Sequence, residues 1–74
     1  MEITVNGNVY RLIGDDYANG RISFEQLCAL VYSPKARSTI TYQIPGRPEF
    51  IGDITQGQFI DIIPGTIFAV KVSR

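Results

Sequence analysis

Only one stretch of this chain carries a helical period, and it is short. In RISFEQLCALVYSP, residues 21–34, Phe24, Leu27, Cys28 and Val31 recur at i, i+3, i+4 and i+7, with Leu30 beside them. Ser23 and Gln26 stand in an S-x-x-Q capping box, in which each side chain bonds the other residue's free backbone N–H. Ile22 before the cap and Leu27 four positions beyond it form a hydrophobic staple. Ser33-Pro34 closes the segment, since proline pushes its predecessor out of the helical region. The spacing predicts a helix over about residues 23–32, nine or so residues and about 13 Å long. A single helix of that length covers one face of a small sheet and little more.

The rest of the chain reads as strands and turns. Ile3 and Val5 alternate with Thr4 and Asn6, and Asn6-Gly7 is a two-residue hairpin signal because a type I′ turn needs positive φ at both central positions. Val9 to Ile13 is the expected return strand, followed by a polar loop from Gly14 to Gly20. STITYQIP sets Ile40, Tyr42 and Ile44 on one face and Thr39, Thr41 and Gln43 on the other. Pro45-Gly46-Arg47-Pro48 cannot remain in a ladder. Gly52 and Gly57 in IGDITQGQ read as two turns, QFIDII as a strand, Pro64-Gly65 as a tight turn and TIFAVKVS as the closing strand. The expected order is β-β-α-β-β-β or β-β-α-β-β, in one α+β domain spanning residues 1–74 with a mixed sheet.

Composition narrows the functions. A chain of 74 residues holds one core, and 45% hydrophobic with 19% charged residues lies well outside the disordered range. Seven basic residues balance seven acidic ones, singly scattered, which argues against nucleic-acid binding. No apolar run reaches the roughly 18–20 residues of a membrane helix and nothing resembles a signal peptide. Cys28 is the lone cysteine, so no internal disulfide forms, which fits a reducing cytoplasm. On the apolar helix face it reads as a small buried hydrophobe. The chain has no histidine, so it assembles neither a Ser–His nor a Cys–His nucleophilic pair, and the reading is that it is not an enzyme. Asp15-Asp16 offers too few oxygens for a hard cation, and the G-x-x-x-x-G from Gly52 to Gly57 lacks the Lys-Ser/Thr of a phosphate loop. No metal or cofactor is implied.

Period two also sorts the final strand. With Phe68, Val70 and Val72 inward, Ile67, Ala69 and Lys71 face outward and join Thr39, Thr41 and Gln43 as a candidate partner-binding surface. Scattered surface hydrophobes are equally ordinary, and that reading stays open.

The pieces ITVNG, RISFEQLCALVY, TITYQI and G-x-x-x-x-G-Q-F-I-D-I-x-P-G-T-I-F-A-V, in this order, resemble the bacterial multiubiquitin-type domains. The matching positions are Ile3, Val5, Asn6 and Gly7; Ser23 to Leu27 and Leu30; Thr39, Thr41 and Tyr42; and Gly65, Phe68 and Val70. The resemblance implies a β-grasp roll with first and last strands parallel at the sheet centre. It implies a protein modifier, joined to targets through its C-terminus by E1-like and E2-like enzymes, with a JAB-type peptidase removing it, in a ubiquitination-like and antiphage setting. The conjugation tail would then be Val72, Ser73 and Arg74, and chains built on the domain itself would use Lys35 or Lys71. Ubiquitin ends in Gly-Gly, whereas this sequence reads Lys71-Val72-Ser73-Arg74. A longer natural tail, another conjugating terminus or a tandem array each accommodates that difference. A sulfur carrier and a non-conjugated β-grasp adaptor remain as alternatives.

Overall fold

The computed structural model describes residues 1–13, 20–47 and 51–73. Its eight elements run β1 (Glu2–Val5), β2 (Asn8–Arg11), β3 (Arg21–Ser23), α1 (Phe24–Leu30), β4 (Ser38–Gln43), β5 (Ile51–Ile54), β6 (Phe59–Asp61) and β7 (Ile67–Val72), with a 3-10 turn at Lys35–Arg37. Asp15, Asp16, Pro48 and Arg74 lie outside the described residues.

Five strands form one mixed sheet in the order β2-β1-β7-β4-β5. β1 and β2 are the expected hairpin, with Asn6 and Gly7 both at positive φ (53° and 82°). The return strand is shorter than expected, ending at Arg11, although the Leu12 N–H still donates to the Met1 carbonyl at 2.7 Å. β7 lies at the centre, parallel to β1 and antiparallel to β4, so the first and last strands are neighbours. The β1–β7 ladder is extended by a side chain. Past Val5 the chain turns away, and the Asn6 Oδ1 accepts the Val70 N–H at 2.8 Å where a strand carbonyl would otherwise be required.

The helix starts as expected and ends earlier. Ser23 is the N-cap, its Oγ accepting from the Gln26 N–H at 3.0 Å while its own N–H donates to Gln26 Oε1 at 2.9 Å. Ile22 and Leu27 are both fully buried. Helical geometry stops at Leu30, not near residue 32, and Pro34 is not the stop. Tyr32 turns left-handed, so its N–H reaches the Ala29 carbonyl and the Ser33 N–H the Cys28 carbonyl, which closes the last turn. Ser23→Ala is expected to cost about 1 kcal/mol, the usual worth of an N-cap. Urea unfolding checks this, and an unchanged midpoint would remove the capping box from the account of stability.

α1 lays Phe24, Leu27 and Cys28 against Ile3, Val5, Ile40, Phe68 and Val70 from the inner face of the sheet. Tyr42 lies opposite Phe68 on the adjoining strand, ring centroids 6.4 Å apart. A second, two-stranded sheet flanks this core where β3 pairs antiparallel with β6.

Two strands differ from the sequence reading. β3 occupies Arg21–Ser23, which reads locally only as the approach to a cap. β5 occupies Ile51–Ile54, so Gly52 is a strand residue opposite Tyr42 and not a turn. Gly57 does sit in a turn, at φ +83°. Cys28 is buried as expected.

Candidate functional site

The outward face of the five-stranded sheet carries all six surface candidates as three direct cross-strand pairs. Thr39 lies opposite Lys71, Thr41 opposite Ala69, and Gln43 opposite Ile67. Directly opposed side chains in such a ladder have Cβ atoms about 5 Å apart, so these six residues form one continuous surface. Phe68 and Val70 alternate with them into the core, at 1% and 7% exposure. Val72 shares their phase but is half exposed.

The face is wider than the sequence indicated. Register aligns Val9, Thr4, Ile67, Gln43 and Ile51 in one row across all five strands. Val9 and Ile51 are exposed, 67% and 69%, and Ile67 between them is 46% exposed. Val9 was legible in principle, since a two-residue hairpin sets it across from Thr4. Ile51 was hidden by reading Gly52 as a turn. Ile67 stands between two open hollows. One, ≈ 140 Å³, is lined by Thr41, Tyr42, Gln43, Ile51, Ile67 and Ala69. The other, ≈ 380 Å³, is lined by Gln43, Ile44, Pro45, Gly46 and Ile67.

This surface can bind but has little with which to react. Its polar groups are threonine hydroxyls, one amide, Lys71 and, opposite Thr41, Asp53. Among the described residues no group of three or more His, Cys, Asp or Glu is placed to hold a metal ion. No described helix is long and apolar enough to cross a membrane.

The candidate tail is more tightly held than the sequence implied. Val72 is still in β7, paired with Ser38, and the Ser73 N–H donates to the Arg37 carbonyl at 2.6 Å. Ser73 is therefore not a free tail residue, and Arg74 is the one position of the printed sequence past that bond. Both candidate acceptor lysines are exposed: Lys35 in the 3-10 turn, and Lys71 on the outer face.

Among the described residues, one helix packed on a mixed five-stranded sheet makes a small α+β fold. No known protein family, no curated protein and no solved structure matches the chain.

Proposed function

We propose that this domain is a ubiquitin-like β-grasp modifier, recognised by E1-like and E2-like enzymes and by a JAB-type peptidase, and joined through its C-terminal carboxylate to protein amines. The observation that carries the reading is the parallel pairing of β1 with β7 at the sheet centre, beneath a helix whose capping box follows the first hairpin. That arrangement accords with the β-grasp roll that the sequence resemblance implies. It also directs the end of β7 away from the core, at the end of the sheet where Val72 emerges half exposed. The Thr39–Lys71, Thr41–Ala69 and Gln43–Ile67 pairs supply a partner-binding face with the mixed apolar and hydroxyl character of a transient interface. In this role the chain is a substrate in every step, in keeping with its lack of histidine. Work in the cytoplasm and in antiphage defence belongs to the same reading.

Tail length decides the test. Backbone groups already paired in a ladder cannot enter an adenylation site without breaking that ladder. From the Ser73 N–H, which the Arg37 carbonyl holds, a polypeptide ending at Arg74 has at most two residues, about 7 Å of extended chain, with which to reach. A 74-residue chain is expected to support no ATP–pyrophosphate exchange with an E1-like enzyme of this bacterial class. The same domain extended by several residues ending in glycine is expected to support it. Exchange by the 74-residue chain would refute the reach argument. Silence from every extended version would shift the reading to a non-conjugated adaptor, which the hydrogen bond holding Ser73 to the sheet favours; the sulfur-carrier alternative needs the same free tail and would fall with the modifier.

A further inference from the structure

β4 and β5 do not run side by side to the end. β4 begins at Ser38, but the last pair of its ladder with β5 is Ile40–Ile54, so Ser38 and Thr39 have no strand residue beside them on that side. The chain turns there instead. The Thr55 N–H donates to Gln58 Oε1 at 2.8 Å, and the Gln58 N–H to the Thr55 carbonyl at 3.1 Å. Three further bonds brace this turn from outside. The Gly57 N–H donates to Glu25 Oε1 at 2.8 Å, the Phe24 N–H to the Gln58 carbonyl at 3.1 Å, and the Gln56 side-chain amide to the Lys35 carbonyl at 2.9 Å. A cleft of ≈ 460 Å³ opens where the two strands part. Its size lies within the roughly 300–1,000 Å³ of small-ligand sites. The bonds that hold the turn are all internal to the domain, so the cleft is pre-formed.

The lining is one-sided in its chemistry. Phe24, Ile40 and Ile54, each at most 2% exposed, close the cleft from the core side. Thr39, Thr41 and Thr55 bring hydroxyls to its walls. The Ser38 carbonyl adds an acceptor. The Arg37 carbonyl is turned toward β7, where it accepts the Ser73 N–H, so strand alternation turns the Ser38 carbonyl the other way, to the side where β5 has ended. Asp53 is the one ionisable residue of the lining. Among the described residues no cation pairs with it; the ion pairs are Arg11–Glu2 and Arg21–Asp61. The cleft therefore gathers a carboxylate, hydroxyl oxygens and a carbonyl, and no positive charge.

We propose that this cleft binds a small primary amine on a short carbon chain, its ammonium group held by Asp53 and the hydroxyls beside it and its carbon chain lying toward Phe24 and Ile54. An ammonium group has three donors and no acceptor, which matches a lining of acceptors. An anion would meet the Asp53 carboxylate with no cation to offset it. A hard metal ion takes six or more oxygens, usually from several carboxylates, and the lining supplies one. The volume admits a whole small molecule, so the occupant is a free amine and not a lysine side chain of a partner protein. The inference goes beyond the modifier reading and does not depend on it, and no E1-like enzyme enters its test.

The test titrates the isotope-labelled full chain with hexylamine at neutral pH, followed by amide NMR. Hexanoate, 1-hexanol and a lysine flanked by blocked termini are titrated in parallel. Hexylamine is expected to give saturable shifts at Thr39, Thr41 and residues 53–56, with affinity falling as salt rises. Hexanoate is expected to leave those amides unmoved. Asp53→Asn is expected to weaken hexylamine binding about tenfold, the usual worth of a hydrogen bond to a charged group. Its unfolding midpoint in urea should match the parent, because the carboxylate is exposed and makes no ion pair within the domain. Hexylamine binding unchanged in Asp53→Asn, equal binding of 1-hexanol, or shifts at other amides only would each overturn the proposal. Tighter binding of the blocked lysine than of hexylamine would also overturn it, and would assign the cleft to a partner's side chain.

Discussion

Asn6→Ala is expected to destabilise the domain by about 2–4 kcal/mol, measured by urea unfolding. Two effects add. The Val70 N–H loses its acceptor in the centre of the sheet, and an unsatisfied buried donor costs about 1–3 kcal/mol. Alanine also replaces asparagine at φ 53°, where a Cβ without a local hydrogen bond costs about 1 kcal/mol or more. A domain of 74 residues has of the order of 4–11 kcal/mol in total, so this one side chain decides a large share of it. The contact joins residues 64 positions apart and extends the parallel pairing of β1 with β7. Asn6→Gly separates the two terms, because glycine keeps the turn and removes only the acceptor. The Val70 amide should then exchange with solvent much faster than its neighbours in β7. If Asn6→Gly is as stable as the parent and Val70 stays protected, the side chain is not completing the ladder.

How legible such features are depends on how local their causes are. The start of α1 could be read because Ser23, Gln26, Ile22 and Leu27 act within five residues of one another. The hairpin could be read because Asn-Gly specifies its own turn. The outer face followed from alternation, and Thr39, Thr41, Gln43, Ile67, Ala69 and Lys71 lie together because two strands of known phase pair in one register. The helix end was misjudged because the visible stop, Pro34, lies beyond the true one; a tyrosine in a glycine-favouring conformation carries no local signal. β3 was missed because its partner β6 lies dozens of residues away and its three residues read fully as a helix entry. The second role of Asn6 was equally hidden, since the turn alone already explains the residue.

Gly52 is the sharpest such failure, and it supports the last prediction. Gly52→Ala is expected to destabilise the domain by about 1–3 kcal/mol, the usual range for overpacking. A Cβ built at this position would stand 2.5 Å from the Tyr42 Cζ and 2.6 Å from its hydroxyl oxygen. The glycine is therefore required by contact and not by a turn: Tyr42, its direct partner across the β4–β5 ladder, lies over it. In the other direction Tyr42 leans on Phe68, so the ring is held between the edge strand and the central strand. To admit a methyl group the ring must swing away from both, exposing the Phe68 side of the core. Alanine would otherwise suit a strand better than glycine by roughly 0.5–1 kcal/mol, because glycine loses more freedom on folding. The sign of the effect should therefore depend on Tyr42. In a Tyr42→Ala background, adding Gly52→Ala is expected to be neutral or stabilising, a coupling of about 1–3 kcal/mol in the double-mutant cycle. Additive single-mutant costs in urea unfolding would show that the two residues do not meet, and Gly52 would then owe its place in β5 to something other than the tyrosine across from it.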